Sequence, residues 1–423
     1  MKIKQLKLNN GLKVVLAPLA GTKAVTVLTL LPVGSRFERA PIAGVSHLIE
    51  HIMFKGTKKR PNTLAISREL DSIGAEYNAF TSKDYTGYYV KADSRKIGVA
   101  TDLLSDMLFN SVFDEKELNQ ERRVIVEELR MYKENPMMYI EDLFEELIYQ
   151  GNALGRDIGG SQQTVLKMKY KEILEFKDAF YEPANMSVII AGCFDEQKAV
   201  KLLGNYFQRD YSKTKKPKLD PYRVNQSKAR VRIDRRKTEQ TQLCLGVPAY
   251  AYQDKKMAAL KILAIILGGN MSSRLFINIR DKLGLAYYIR TGLGTHADTG
   301  CFYIRAGLDK IRTEEGIIAI MKELQQLKKS GVTNEELKMA KEYIRGQSVL
   351  AMEDSGQVAS WLGSQQLFQK KIKTLEESLK ETDQVTIRQV NEVSKELLVG
   401  PKLNLALIGD FASPGQFLKL LKI

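Results

Sequence analysis

The chain has 423 residues, 44% of them hydrophobic and 27% charged, with three histidines and a net charge of +15. That length exceeds one ordinary core, so two or more domains are expected, and the composition is that of a globular rather than a disordered chain. No apolar run is long enough to span a bilayer, and the lysines are mostly interspersed with glutamates as on a solvated surface, which argues against a membrane or nucleic-acid partner.

The opening "MKIKQLKLNNGLKVVLAPLAG" lacks the continuous apolar block and the cleavage site of a secretion signal. Cys193, Cys244 and Cys301 are odd in number and far apart, forming no CxxC pair. Both observations fit a cytoplasmic protein.

In chain order, the first expected element is a hairpin around Asn10-Gly11, flanked by alternating apolar and polar residues. A strand follows over "AVTVLTLLPVG". A helix then covers "GVSHLIEHIMFKG", and another covers "TLAISRELDSIG", closed by Gly74. "AEYNAFTS" and "TGYYVKA" read as paired strands. Helices are expected over Arg95–Asn110, Asp114–Glu134 and Met137–Tyr149, and the basic, Pro-containing stretch beyond Asp210 reads as a linker.

An internal repeat organises the rest. "NMSVIIAGCF" is answered by "LNLALIGDF", "ELNQERRVI" by "ELKMAKEYI", and "YYVKA" by "FYIRA", at offsets of 217, 219 and 214 residues. Three collinear matches indicate a duplicated domain. The expected fold is therefore α+β: two homologous domains, each a mostly antiparallel sheet with helices packed on one face. The expected boundaries are 1–212, a linker at 213–229, and 230–423.

Chemistry concentrates in the first half. His47 and His51, four apart, project from the same face of one helix, with Glu50 beside them. Two imidazoles one turn apart supply two ligands to a zinc ion, and an adjacent carboxylate can take a proton from water activated there. His296, by contrast, stands alone in a loop.

A third ligand is needed, and the Asp114–Glu134 helix can supply it. At 100° per residue, Leu118, Ile125, Leu129 and Tyr132 form one apolar stripe, and Val124 and Met131 form a second. Glu121 and Glu128 fall between them, whereas Glu127 falls on the wet side. A carboxylate turned inward needs a partner, which favours Glu128 as ligand and Glu121 as its support. Ligand chemistry alone leaves manganese or cobalt open beside zinc.

"HLIEHIMFKGTKKRP", "IGAEYNAFTSKDYTGYYV" and "ERRVIVEEL" together resemble the pitrilysin and mitochondrial processing peptidase family of inverted-motif zinc peptidases. The resemblance implies one zinc per chain held by His47, His51 and Glu128, with Glu50 as general base and Glu121 orienting a ligand. It further implies that Arg280 and Tyr287, seven apart in "RDKLGLAYYIRTG", bind substrate and steady the transition state. Asn78, Ala79 and Phe80 are implied as the strand that holds the peptide. The second half carries "ALKILAIILGG" where HxxEH would stand, so it is expected to be a metal-free copy. A homodimer is implied, with Arg280 and Tyr287 reaching the partner's zinc site. The alternative is a non-catalytic, peptide-binding subunit of a heteromeric complex.

Overall fold

The computed structural model describes residues 1–209 and 217–423. Residues 213–216 of the expected linker lie outside the described residues, and residues 217–229 form neither helix nor strand.

The first sheet has six strands: β1 (Lys4–Lys7), β2 (Lys13–Pro18), β3 (Ala24–Leu31), β4 (Glu76–Thr81), β5 (Thr86–Asp93) and β6 (Ser187–Gly192), in the order β1-β2-β6-β3-β5-β4. All neighbours are antiparallel except β2 with β6. Gly11 sits at φ +88° in the turn between β1 and β2, a conformation that favours glycine. The second sheet has five strands: β7 (Arg230–Arg235), β8 (Gln240–Ala249), β9 (Ala286–Thr295), β10 (Gly300–Asp309) and β11 (Asn404–Gly409), in the order β7-β11-β8-β10-β9. Its one parallel pair is β7 with β11.

Without β1 the two strand orders coincide, parallel pair included. The repeated segments fall on matching elements: "YYVKA" on β5 and "FYIRA" on β10, the two glycine-ended segments on β6 and β11. The fold is α+β, with two homologous sheets.

Both sheets bury both faces, which is why their central strands read as continuous apolar runs rather than as alternation. In the first sheet Val14, Leu16, Val27, Tyr88 and Ile190 face a core that includes the helices Val45–Ile52 and Ile97–Asn110. On its other face, Val15, Leu28, Leu30 and Ile189 are covered by Val358, Ala359 and Leu362 of the helix Ser355–Phe368. The second sheet repeats this plan. Its opposite face, with Cys244, Cys301 and Ile408, lies under Ile140, Leu143 and Phe144 of the helix Pro136–Ile148.

Each sheet thus takes one cover from the other half of the sequence. The first compact unit comprises Met1–Leu129, Arg156–Asp220 and Gln347–Leu375; the second comprises Arg130–Gly155, Pro221–Gly346 and Glu376–Ile423. The expected boundaries run along the chain without such an exchange. The difference arises because a two-faced apolar sheet needs a second cover, and no sequence period says which helix supplies it.

Candidate metal centre

The helix Val45–Ile52 is short and strongly two-sided. Val45, Leu48, Ile49 and Ile52 are buried in the core, and His47, Glu50 and His51 are half-buried on the other flank. Its N-terminus is held from a distance. Both carboxylate oxygens of buried Glu38 accept backbone N–H groups, from Gly44 at 2.7 Å and Ser46 at 2.8 Å. Burial pushes the Glu38 carboxyl up to about 7, while those N–H groups, the Ser46 hydroxyl and Arg156 pull it down. Gly44 has φ +95°, and a Cβ there would lie 2.4 Å from the Gly159 carbonyl oxygen, so only glycine fits this entry to the helix.

The helix Glu115–Glu134, whose first turn is capped by the Asp114 carboxylate, brings in the acids. Its buried residues are Leu118, Glu121, Ile125 and Val126. Val124 and Met131, expected as a second apolar stripe, are exposed, as is Tyr132. The apolar arc is centred on Leu118 and Ile125 and extends toward Val126, on the side away from Val124. The two glutamates therefore flank the arc rather than lying between two stripes, and Glu128 is left half-buried where the core meets solvent. Glu127 is exposed, as expected.

His47, His51 and Glu128 converge, with one ligand atom from each lying within 4.8 Å of the others. His51 Nε2 is 3.3 Å from His47 Nε2, and Glu128 Oε2 is 3.7 Å from His47 Nε2 and 3.6 Å from His51 Nε2. Ligand atoms about 2.0–2.1 Å from a tetrahedral zinc stand about 3.3–3.4 Å apart. Only the two imidazoles are close enough to share a hydrogen bond; the carboxylate is beyond that range from both. This donor set fits a divalent cation.

Glu121 supports the set without joining it. Its Oε2 accepts from His51 Nδ1 at 3.0 Å, and its Oε1 pairs with Lys55 Nζ at 2.6 Å. Burial works to raise the Glu121 carboxyl, but the hydrogen bonds from His51 and Lys55 and their charges hold it below the ordinary glutamate value. An ionised acceptor on Nδ1 fixes the His51 tautomer and leaves the Nε2 lone pair toward His47 and Glu128.

The two imidazoles differ. Burial opposes charge on His51, yet the Glu121 hydrogen bond and the charges of Glu128, Glu121 and Glu50 raise its pKa above 6.5. Burial, with the neighbouring His51, lowers His47 to about 4. His47 Nδ1 is buried without a hydrogen-bond partner among the described residues.

Glu50 stands beside the ligands. Burial raises its carboxyl, opposed by a hydrogen bond from Thr81 and the His51 charge. The Thr81 hydroxyl donates to Glu50 Oε2 at 2.5 Å.

Asn78, Ala79 and Phe80 lie on β4, the outer strand of the first sheet next to β5. Asn78 is exposed and Ala79 is buried. The Phe80 ring packs with the group under the Ser355–Phe368 helix, on the sheet face away from the Val45–Ile52 helix.

Arg280 and Tyr287 belong to the second unit. They lie side by side there: the Arg280 guanidinium is 4.6 Å from the Phe276 ring centre and 6.0 Å from that of Tyr287. Arg280 rides on a wide helical turn, Phe276–Lys282, and Tyr287 is the second residue of β9, with 73% of its surface exposed. His296 is buried beside Tyr149, ring centres 5.5 Å apart.

Glu38, Lys55 and Thr81 were not singled out by the sequence. Thr81 closes the strand segment "EYNAFT", and Lys55 is one turn beyond His51, so helical spacing could have found the latter. Nothing local marks Glu38.

Comparison with known proteins places the chain in a family. Residues 13–162 match the family described as Insulinase (Peptidase family M16), and residues 167–344 match the Peptidase M16 inactive domain. An uncharacterized zinc protease of Streptomyces coelicolor is 33% identical over 96% of this chain and 89% of its own length. The uncharacterized zinc protease YmxG of Bacillus subtilis is 32% identical over 93% of this chain and 95% of its own. In fold, a protease from Helicobacter pylori superposes with a TM-score of 0.89 at 24% identity, covering 96% of this chain and 99% of that one. The chain belongs to peptidase family M16, the insulinase and pitrilysin family, in its two-domain form.

Proposed function

We propose that this chain is a zinc-dependent endopeptidase acting on short or unfolded polypeptides. The observation that carries the reading is the convergence of His47 Nε2, His51 Nε2 and Glu128 Oε2 with the Glu50 carboxylate alongside. His47, His51 and Glu128 would hold the ion, and Glu121 keeps His51 in the ligating tautomer. Bound there, zinc supplies a Lewis acid that acidifies water and polarises a carbonyl. Glu50 takes the proton of the attacking water and returns it to the nitrogen of the leaving amine. A peptide would lie along the edge of β4 at Asn78, Ala79 and Phe80, held by main-chain hydrogen bonds that tolerate many sequences. Arg280 and Tyr287 would donate to the oxygen that gains charge in the tetrahedral state. We propose a homodimer in which that pair serves the partner's metal centre; the exposure of Tyr287 supports this role.

The test uses purified protein, a quenched-fluorescence peptide library and metal analysis. One zinc per chain, cleavage abolished by a chelator and restored by zinc, and Glu50→Gln that keeps zinc but loses about 10²- to 10⁴-fold in rate are expected. Zinc at one per chain with no turnover by the parent protein would instead identify a peptide-binding, non-catalytic subunit.

A further inference from the structure

Glu50 has a single hydrogen-bond donor among the described residues, the hydroxyl of Thr81, which holds Oε2 and leaves Oε1 without a protein partner. Two other hydroxyls in the core behind it, those of Tyr88 and Tyr181, are turned to one another at 3.3 Å. We propose that Thr81 is the positioning residue of the general base: its hydroxyl fixes one carboxylate oxygen so that the other is presented to water. The proposal rests on the peptidase reading of Glu50 and adds to it the residue that aims the base.

The Thr81 side chain is fixed by a scaffold separate from the helix that carries Glu50. Thr81 is the last residue of β4, paired with Thr86 across the turn, and Ser82 N–H closes that turn on the Tyr85 carbonyl at 2.8 Å. The turn is in turn bound to residues 34–36. Ser35 N–H donates to the Ser82 carbonyl at 3.1 Å, and Arg36 N–H donates to the Lys83 carbonyl at 3.0 Å. A buried ion pair joins Arg36 to Asp84 at 2.9 Å. The approach is so close that a Cβ on Gly34 would lie 2.1 Å from the Ser82 carbonyl oxygen. The Thr86 hydroxyl adds a further bond, to the Val33 carbonyl, at 2.9 Å.

Threonine suits the post for a physical reason. Its branched Cβ stiffens χ1, so a hydroxyl on a fixed strand end is delivered in one direction. A glutamate on a helix has three rotatable bonds and, without that donor, several rotamers to sample. Chemistry at a carboxylate oxygen requires near-attack placement, and misplacement by about 1 Å can cost about 10²-fold in rate. The same strand end continues the edge along which a peptide would lie, so the residue that aims the base shares its backbone with the residues that would hold the substrate.

The test compares Thr81→Val, which keeps shape and strand preference but removes the donor, with Thr81→Ser, which keeps the donor. In peptide cleavage, Thr81→Val is expected to lower kcat about 10- to 100-fold with KM within about twofold and zinc content unchanged. Thr81→Ser is expected to recover most of that loss. Crystal structures of the metal-free proteins supply a readout independent of turnover. Glu50 should occupy one rotamer, Oε2 on the hydroxyl, in the parent and Thr81→Ser, and more than one in Thr81→Val. A Thr81→Val protein with the parent kcat, or with Glu50 unmoved, overturns the proposal. If the parent does not cleave peptides at all, the peptidase reading fails, and the Glu50 rotamers still decide whether Thr81 positions that side chain.

Discussion

The helix Glu115–Glu134 of the first half and the helix Asn334–Ala351 of the second occupy matching places in the repeat, yet they differ where it matters. At the 219-residue offset that aligns them, Glu121 corresponds to Ala340 and Glu128 to Gln347. Ala340 is buried against apolar neighbours, whereas buried Glu121 is engaged by His51 and Lys55. The element that carries His47 and His51 differs in the same way. "HLIEHIMF" is matched by the apolar helix Met257–Ala264, which continues into the wide turn Ile265–Gly269. The scaffold therefore needs no carboxylate at these positions. One copy buries Glu121 at the cost of desolvation and pairs it with His51 and Lys55; the other has Ala340 in an apolar cluster there and an exposed glutamine, Gln347, in place of Glu128.

Installing a single acid of the first copy into the second should break this comparison most severely. Ala340→Glu places a carboxylate in an apolar cluster without His51 or Lys55, and a loss of about 3–5 kcal/mol in denaturant unfolding is expected. A loss under 1 kcal/mol would mean that the second copy tolerates the charge and that the partners of Glu121 are incidental.

Tyr287→Phe tests whether the second copy contributes a hydrogen-bond donor in place of a metal ligand. With 73% of its surface exposed, Tyr287 contributes little to packing, so stability should change by less than about 0.5 kcal/mol. Peptide cleavage should nevertheless fall about 10²- to 10³-fold, the usual effect of losing one donor to the developing oxyanion. Unchanged kinetics would remove Tyr287 from the reaction.

Glu121→Ala converts the first copy toward the second. Zinc affinity measured by competition with a chromophoric chelator should drop about 10- to 100-fold, because His51 loses the acceptor that fixes its tautomer. An affinity equal to the parent's would show that His51 needs no such partner.

The mildest test follows proton uptake by the metal-free protein using imidazole ¹⁵N shifts. The folded His51 value is raised, so as pH falls it should become charged above 6.5, while His47 should stay neutral until about 4. Joint titration of the two rings would contradict the asymmetry set by the burial of His47 and the Glu121 hydrogen bond to His51.

Much of this was legible in the residues. The Asn10-Gly11 turn, the paired strands around "EYNAFTS" and "TGYYVKA", the helix through HxxEH and the strand-for-strand repeat all follow from local turn chemistry and periodicity, which short segments carry by themselves. The grouping of His47, His51 and Glu128 was legible because two of the three share a helical turn and the third lies on a helix with an identifiable inner face. The exposure of Val124 and Met131 was not, since an apolar residue on a helix does not declare whether anything packs on it. Glu38 was invisible for a different reason: a carboxylate that caps a helix from outside it leaves no spacing to detect. The exchanged covers Pro136–Ile148 and Ser355–Phe368 are helices whose destination depends on tertiary fit alone.

That exchange has a consequence for how the protein is made. As the chain leaves the ribosome, the sheet built by residues 4–192 has Val15, Leu28, Leu30 and Ile189 exposed to water until Val358, Ala359 and Leu362 have been synthesised. The domain encoded first is thus obliged to wait for nearly the whole message before it can close, with a sticky apolar surface that invites chaperones in the interval. A transcript cut between the two repeats would encode the first sheet without the helix that covers this face.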